Sequence, residues 1–331
     1  MSTLRFALFG AGRIGTLHAA NLAIGRGTAL ACVHDPDASR AAALAATHGA
    51  RVAGSVEDAL DACDAVLVAS STDTHVALVE AAARAGKPVL CEKPIDLDIA
   101  RVEACRAVLD AHPVPVQIGF NRRYDPDHGA LRTAVAAGEI GRLEMLLITS
   151  RDPAPPPPEY VRVSGGLFRD MAIHDLDMAR FVLGEEPVSV YAAASNLVDP
   201  AIGAAGDVDT AMVVLRTASG ALCHIDNSRR AVYGYDQRIE AFGATGMLRS
   251  ENHAGGTVSR FDAARTASRP PLPRFFLERY RESYRLELED FVAALRDGRP
   301  PAVGFDDGYR ALLLARAAER SSAEGRAVAP W

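Results

Sequence analysis

The feature that most constrains this chain is a regular alternation of strand-like and helix-like segments through its first third. Short apolar runs such as AVLVAS and VPVQIGF alternate with Ala/Leu-rich segments such as THVALVEAAARAG. This alternation predicts a parallel sheet with helices on both faces, and ligands of such sheets lie beyond the carboxyl ends of the strands. We expect those ends at Gly10, Asp35 and residues 70–72, 92–94 and 121–123.

After residue 120 the pattern changes. Strand-like segments follow one another with few helices between them, and hairpin signals occur at residues 218–220 and 243–246. These segments predict a mostly antiparallel sheet, and two amphipathic helices end the chain. At 331 residues we expect two domains, 1–120 and 121–331, with C-terminal helices able to pack back on the first.

Composition excludes several classes of protein. The net charge of -6 and the pI of about 5.9 argue against a grip on nucleic acid phosphates. No apolar run approaches the roughly 18 residues of a membrane span, and the N-terminus lacks the parts of a signal peptide, so we expect a cytoplasmic protein without a membrane partner. The five cysteines show no CxxC spacing and are expected to be reduced structural thiols.

A glycine motif, GAGRIG, joins the first strand to the first helix. Gly10 allows the tight turn, Gly12 lets the backbone approach a pyrophosphate, and Gly15 lets helix and strand pack closely. Asp35 ends the next strand, where a carboxylate accepts hydrogen bonds from ribose hydroxyls and repels a 2′-phosphate. The pattern therefore predicts NAD rather than NADP; the alternative is that Asp35 only opens a turn with Pro36.

Lysine 93 stands in VLCEKPIDLD, at the end of a strand and before a proline. Most lysines are solvated surface residues, but this position faces the predicted cofactor cleft. The Lys93-Pro94 bond is a candidate for the cis form, which would aim the amine. Ser70 and Thr72 end a neighbouring strand and are expected to contact the cofactor; the alternative role is capping of the next helix, which is compatible with that contact.

The segment 167–183 predicts a helix that carries chemistry. At about 100° per residue, Asp170, His174 and Asp177 share one stripe, so two carboxylates flank one imidazole and favour a general base. The alternatives are a solvated polar face and a metal site, but three ligands from one helix do not converge easily on an ion, and we predict no metal. Asp175 points away and is expected to be structural.

These residues carry a resemblance to a known family. The strings GAGRIG, CEKP and GGLFRDMAIHDLDMARF resemble the Gfo/Idh/MocA oxidoreductases over essentially the whole chain, and longer strings such as GFNRRYDP are similar to the members that oxidise myo-inositol. The resemblance implies an N-terminal Rossmann domain, an α/β domain with a large open sheet, and usually a homotetramer assembled through those sheets.

The resemblance also implies roles. Lys93 would hydrogen-bond the reacting hydroxyl, His174 would take its proton as general base, and Asp170 would orient the imidazole. The substrate-binding positions would be Lys93, Arg123, Asp170, His174, Asp177 and Tyr233, with Tyr235 as an alternative to Tyr233. The cofactor-binding positions would be Gly10, Gly12, Arg13, Ile14, Gly15, Asp35, Ser70, Ser71, Thr72, His75, Glu92 and Lys93.

The expected reaction is NAD-dependent oxidation of a secondary hydroxyl of a cyclic polyol, with myo-inositol converted to 2-keto-myo-inositol. The rivals within the fold are dehydrogenases of scyllo-inositol, a chiro-inositol or a pyranose sugar, because a few contacts decide which hydroxyl reacts. A non-catalytic regulator that binds NAD or sugar is a rival of another class, and the intact Lys93, Asp170 and His174 argue against it.

Overall fold

The structure is a computed structural model that describes residues 3–331, and the chain divides into two units. The first contains the residues up to Asn121 together with Tyr284–Arg310, and the second contains Arg122–Ser283 and Ala311–Trp331. No helix in the described part of the chain is both long enough and apolar enough to cross a bilayer.

The first unit is built on a six-stranded parallel sheet with the strand order β3-β2-β1-β4-β5-β6. Its inner strands β4 and β5 are mainly apolar and are buried over their whole length, as a sheet covered by helices on each side requires. The predicted parallel sheet is confirmed, although the two-residue β3 was not foreseen. The strands are β1 Leu4–Phe9, β2 Thr28–His34, β3 Arg51–Val52, β4 Ala65–Val68, β5 Val89–Glu92 and β6 Val116–Gly119.

Helices follow the strands of this sheet in alternation. Asp37, Ser55 and Asp98 cap α2, α3 and α5 by accepting hydrogen bonds from the first backbone N–H groups of each helix. The helices are α1 Arg13–Ile24, α2 Ala38–His48, α3 Val56–Asp61, α4 Thr72–Arg84 and α5 Ile99–Ala111. The N-cap of α1 is Gly12, which has no side chain to accept hydrogen bonds from the first backbone N–H groups of that helix.

The second unit contains a six-stranded sheet with the order β12-β11-β7-β10-β9-β8. Only the pair β7 and β10 is parallel, so the mostly antiparallel prediction is confirmed, and both predicted hairpins join neighbouring strands. The strands are β7 Leu143–Arg151, β8 Pro187–Ser195, β9 Thr210–Thr217, β10 Leu222–Ser228, β11 Asp236–Gly243 and β12 Gly246–Ser250. A separate hairpin pairs β13 Arg260–Asp262 with β14 Arg265–Ser268.

Helices cover one face of this sheet. A 3-10 turn at Asn121–Tyr124 opens the region, and a π-helical segment at Leu167–Ala172 runs directly into an α-helix. The α-helices of the second half are α6 Pro126–Ala136, α7 Pro158–Ser164, α8 Ile173–Leu183, α9 Pro200–Ala204, α10 Phe276–Arg279, α11 Arg281–Asp297 and α12 Phe305–Glu324. Leu288, Phe291 and Val292 of α11 belong to the apolar core of the first unit.

Two predicted helices differ from the observed ones. The segment 167–183 is not one regular α-helix, because its first six residues are π-helical. The first of the two predicted C-terminal helices is divided at Tyr280 into α10 and α11. The Tyr280 side chain is buried, and its hydroxyl donates to Gln237 Oε1 at 3.2 Å. A tertiary hydrogen bond thus stabilises a break that the amphipathic pattern does not contain.

Candidate active site

The glycine turn of the first unit leaves the start of α1 open. Gly10 has a φ of 98°, and a Cβ there would lie 2.5 Å from the Ala69 carbonyl oxygen, while a Cβ on Gly15 would lie 1.9 Å from the Gly10 oxygen. Both glycines are therefore required by chain packing. A Cβ on Gly12 would meet nothing within 4 Å, so open space lies at the helix N-terminus, which fits a bound pyrophosphate.

Asp35 lies beside this turn at the end of β2. Its Oδ2 accepts from the Ala11 backbone N–H at 2.7 Å, and its Oδ1 accepts from the Asp37 N–H at 2.8 Å. The second bond closes the turn at Pro36, which is the alternative role of Asp35, and it is present together with the first bond. Each oxygen retains acceptor capacity for a ribose hydroxyl, so these residues fit an adenosine ribose.

The loop after β4 carries the hydroxyls predicted for the cofactor. Ser71, not Ser70 or Thr72, occupies the N-cap of α4, and its side chain makes no capping bond. The Ser70 hydroxyl instead bonds the Thr74 hydroxyl at 2.6 Å. The interpretation of Ser70 and Thr72 as helix caps is therefore wrong, and the cofactor role of residues 70–72 remains a prediction.

His75 connects two of the strand ends. It is buried, with Nδ1 2.8 Å from the Pro94 carbonyl oxygen and Nε2 3.1 Å from the Ser70 carbonyl oxygen. Burial lowers the pKa of this imidazole, and a neutral ring donates only one of the two hydrogen bonds. The contacts place His75 as a support for the loops around Ser70 and Pro94, and direct contact with a cofactor remains a prediction.

Lys93 follows β5 directly and is partly buried. The Lys93–Pro94 peptide bond is cis, which is the form that the sequence left open. The preceding Glu92 turns its carboxylate into the unit, where it accepts a hydrogen bond from His18 Nε2 at 2.7 Å. The two neighbouring side chains therefore have different surroundings, and the cofactor role predicted for Glu92 remains untested.

In the second unit, Asp170 belongs to the π-helical segment and His174 to the first turn of α8. A π-helical turn closes i→i+5 bonds and is wider than the α-helical turn on which we based the stripe, and such turns often occur at functional sites. Tyr160 of α7 donates its hydroxyl to Asp170 Oδ1 at 3.0 Å. His174 is partly buried, and its Nδ1 atom is inaccessible to solvent.

Arg123 and Asp177, both predicted to face substrate, form an ion pair. Arg123 donates from Nη2 to Oδ1 at 2.6 Å and from Nε to Oδ2 at 2.8 Å, and its guanidinium lies 5.1 Å from the centre of the Phe181 ring. Asp177 is completely buried. The bidentate geometry fixes both groups, and their role toward a substrate remains a prediction.

The two tyrosines that the sequence could not separate have different surroundings. Tyr235 is buried, with its hydroxyl 3.4 Å from Arg122 Nη2. Tyr233 is 47% exposed, donates to Asp236 Oδ2 at 2.7 Å, and borders a cavity of about 430 Å³. Tyr233 is thus the residue whose ring reaches open space.

Asp175 has the structural position that the sequence predicts. It is buried, accepts from Arg122 Nη1 at 2.6 Å and from Asn227 Nδ2 at 2.8 Å, and burial raises its pKa. Loss of either partner would leave an uncompensated buried charge, so Arg122 and Asp175 depend on each other for their positions.

Sequence reasoning missed two charged residues near Asp170. Asp152 follows the end of β7, and burial, with a further contribution from Asp170, raises its pKa to about 6 against the opposing effect of Arg229. Arg229 follows β10 and is 1% exposed, with Nη2 3.8 Å from Asp170 Oδ2. Both lie directly after strands, and that position is the signal that could have identified them.

One group in residues 3–331 brings metal-type ligand atoms together. The ligand atoms of His18, Glu92 and Glu287 lie within 4.8 Å of one another, all in the first unit. His18 Nε2 and Glu92 Oε1, however, are only 2.7 Å apart, which is a direct hydrogen bond. This geometry favours a proton between the two groups rather than an ion.

The sheet, the open glycine turn and Asp35 define the class of protein, a dinucleotide-binding protein. Residues 4–120 match the model of an oxidoreductase family with an NAD-binding Rossmann fold, and residues 128–249 match the GFO/IDH/MocA C-terminal domain. The chain belongs to the Gfo/Idh/MocA family, which confirms the resemblance.

Individual relatives cover the whole chain. It is 49% identical to the inositol 2-dehydrogenase of Rhizobium meliloti over 98% of this chain and 99% of that protein. A crystal structure of a myo-inositol dehydrogenase from Corynebacterium glutamicum is 46% identical, covers 99% of this chain and 98% of its own, and has a TM-score of 0.96. A scyllo-inositol dehydrogenase from Lactobacillus casei, solved with NAD(H) and scyllo-inositol, is 27% identical, with a TM-score of 0.92 and 99% coverage of both chains.

Proposed function

We propose that this protein catalyses the NAD-dependent oxidation of a secondary hydroxyl of a cyclic polyol, with myo-inositol as substrate and 2-keto-myo-inositol as product. The observation that carries the proposal is the 49% identity to an inositol 2-dehydrogenase over 98% of the chain. The motif residues Lys93, Asp170 and His174 are all present. A lysine at a strand end supplies a cation, and an imidazole four residues after a carboxylate supplies a base.

Each of these residues has a defined task. His174 takes the hydroxyl proton, and since its Nδ1 is inaccessible we assign the proton to Nε2. Asp170 orients the imidazole, and the Lys93 cation stabilises the substrate oxygen as negative charge develops on it. NAD, when bound, supplies the nicotinamide C4 that accepts the hydride from the carbinol carbon. The products are a ketone, reduced cofactor and one proton.

The substrate within this class is the finer part of the proposal. Relatives carry the names of both myo- and scyllo-inositol dehydrogenases, and the 49% identical relative favours the inositol 2-dehydrogenase activity. Oxidation of scyllo-inositol, a chiro-inositol or a pyranose sugar is the second candidate, because the same residues serve any secondary hydroxyl held in that position.

The test is the appearance of reduced nicotinamide absorbance with purified protein. We expect turnover with NAD and myo-inositol, and less with scyllo-inositol and glucose. Preference for another polyol or sugar would change only the substrate. No turnover with any of them would refute the dehydrogenase and favour a regulator that binds NAD or sugar.

Cofactor preference has its own test at Asp35. Asp35→Asn keeps an acceptor for the Ala11 N–H but removes the charge that repels a 2′-phosphate, so we expect kcat/KM for NADP to rise relative to NAD by about tenfold or more. Asp37→Asn is the matched control, because Asp37 caps α2 two residues away. An unchanged NADP/NAD ratio in Asp35→Asn would contradict the role of this carboxylate.

We also propose that the protein is a homotetramer in the cytoplasm. The tetramer is supported by the family resemblance and by the apolar residues that line the exposed face of the sheet in the second unit. The cytoplasmic compartment is supported by the sequence alone, and it remains a prediction.

A further inference from the structure

Arg229 is the largest fully buried side chain of the described residues, and its charge is only partly compensated. It is 1% exposed, and its Nε and Nη2 atoms have no hydrogen-bond partner within residues 3–331. Its Nη2 lies 3.8 Å from Asp170 Oδ2 and 3.8 Å from Asp207 Oδ2. A buried guanidinium in this position interacts with two carboxylates by charge rather than by close hydrogen bonds.

Charged and titratable groups face this site from every neighbouring element. Asp170 comes from the π-helical segment, Asp152 from the end of β7 and Asp207 from the residues after α9. Tyr160 of α7 donates its hydroxyl to Asp170. His174 lies four residues after Asp170, in the first turn of α8. Arg122 lowers the pKa of Asp152, and Asp175 raises it. Arg229 Nη2 lies 3.8 Å from a carboxylate oxygen of both Asp170 and Asp207, and the charge of Arg229 lowers the pKa of Asp152.

Asp207 connects Arg229 to the start of the segment that carries Asp170. Both of its carboxylate oxygens accept from the Leu167 backbone N–H, at 3.1 and 3.0 Å. A Cβ on Gly166 would lie 2.6 Å from Asp207 Oδ1, so the chain approaches the carboxylate closely. Arg229 therefore lies between two carboxylates. Asp207 accepts from the N–H of Leu167, the first residue of the π-helical segment, and Asp170 belongs to that segment.

We propose that Arg229 is a positioning residue for the oxidation reaction, which orients Asp170 and compensates its charge so that Asp170 holds His174 for proton transfer. This inference rests on the proposed function. Arg229 acts through Asp170 and needs no contact with the substrate. Since positive charge near His174 disfavours the imidazolium, Arg229 also lowers the pH at which His174 becomes an active base.

The first test is Arg229→Gln with Arg229→Lys as the conservative rescue. In Arg229→Gln we expect kcat to fall by about 10–100-fold, the usual cost of losing the partner that orients a functional side chain. The acid limb of kcat/KM should move to higher pH, and KM for NAD should not change. Arg229→Lys should return the acid limb of kcat/KM to its wild-type pH. Arg230→Gln is the matched control, because Arg230 is the exposed neighbour that donates to the Val198 carbonyl.

A second variant predicts a shift of opposite sign. Asp207→Asn retains an acceptor for the Leu167 N–H but removes the carboxylate that competes with Asp170 for Arg229, so the acid limb should move to lower pH. A merely structural role would lower stability in both variants without opposite shifts. Asp207→Asn also decides the question if Arg229→Gln does not fold. If the acid limb of kcat/KM lies at the wild-type pH in the variants that fold, the proposal is wrong.

The titration of His174, followed by its imidazole NMR signal and assigned with His174→Asn, separates this inference from the proposed function. Failure of the wild-type protein to oxidise any polyol would refute the dehydrogenase but leave this measurement intact. We expect the His174 midpoint to rise in Arg229→Gln and fall in Asp207→Asn. Equal midpoints in wild type and both variants would overturn the positioning role.

Discussion

The two lysines of the chain have opposite surroundings, although each is followed by a proline. Lys87 donates from Nζ to the Cys63 carbonyl at 2.8 Å, which fixes its amine against the backbone. Lys93 ends β5, at the edge of the parallel sheet where such folds bind their ligands. The two local sequences share the Lys-Pro pair, so what distinguishes the lysines is their position: Lys87 precedes a strand and Lys93 follows one.

This contrast supplies a matched pair of substitutions. Lys93→Ala should lower kcat by about 10²–10³-fold, because it removes a charge that stabilises the developing oxyanion. Lys87→Ala should retain turnover, since its amine serves only a backbone carbonyl. Steady-state kinetics of both variants, with thermal unfolding to verify the fold, tests the assignment. Wild-type turnover in Lys93→Ala would refute it.

Glu287 is a carboxyl group in the interior of the first unit. It is 0% exposed, and neither carboxyl oxygen has a hydrogen-bond partner in the described chain. Burial and then the nearby Glu92 raise its pKa well above the usual value. A buried carboxylate without a partner is costly, so the group is held in its neutral, protonated form.

The pH dependence of stability follows from that direction. The pKa of Glu287 is higher in the folded protein than in the unfolded chain. The contribution of Glu287 to the free energy of unfolding is therefore complete below about pH 4.5, and it is lost as the pH rises through the raised pKa. Glu287→Gln cannot titrate, so its melting temperature should exceed that of wild type by an amount that grows with pH, roughly 2–4 °C at pH 9.

Circular dichroism melts from pH 5 to pH 9 measure this effect. Glu289→Gln on the same helix is the control, because Glu289 is half-exposed and paired with Arg285. Parallel pH profiles for wild type and Glu287→Gln would contradict a protonated Glu287.

At the scale of elements, the π-helical segment depends on the two glycines that precede it. Gly165 and Gly166 have φ values of 88° and 76°, a region that favours glycine. Gly166 also packs against Asp207, which bonds the first N–H of the segment. The glycine pair therefore sets both where the segment begins and how Asp170 is presented.

A comparison of two glycines tests this dependence. Gly166→Ala should destabilise the protein by about 1–3 kcal/mol and also lower kcat, because the new methyl group displaces Asp207. Gly184→Ala at the end of α8 has a similar φ of 64° but open space, so it should lose only about 1–2 kcal/mol with kcat unchanged. Denaturant unfolding and kinetics separate the two effects, and unchanged kcat in Gly166→Ala would contradict the argument.

At the scale of the whole molecule, one face of the sheet in the second unit is not covered by any of residues 3–331. Cross-strand rows on this face pair Met145 with Phe242 and Leu222, and Val214 with Tyr191. The exposed apolar residues are Met145, Leu147, Val188, Tyr191, Met212, Val214, Leu222, Phe242 and Met247, each 38–55% exposed. An apolar surface of this kind marks an interface between proteins.

Light scattering after size exclusion tests the proposed tetramer. Wild type should have the mass of four chains, and Leu147→Glu on the central strand β7 should have a smaller mass, because a buried charge opposes association. Ile24→Glu, on α1 of the first unit, introduces the same charge at an exposed apolar residue and should not change the mass. Identical masses for wild type and Leu147→Glu would exclude this face as the interface.

Much of this molecule is determined by its sequence alone. The strand and helix alternation, the GAGRIG turn, Asp35 and the strand-end position of Lys93 follow from short-range periodicity and from the conformational freedom of glycine. These features depend on neighbours along the chain, so they predict the Rossmann sheet, the dinucleotide and the family without a structure.

Only the tertiary structure decided the other features. The π-helical form of Leu167–Ala172, the burial of Arg229 between two carboxylates and the protonation of Glu287 all depend on residues distant in sequence. The physical reason is that burial and charge compensation are properties of packed neighbours, which no local pattern specifies.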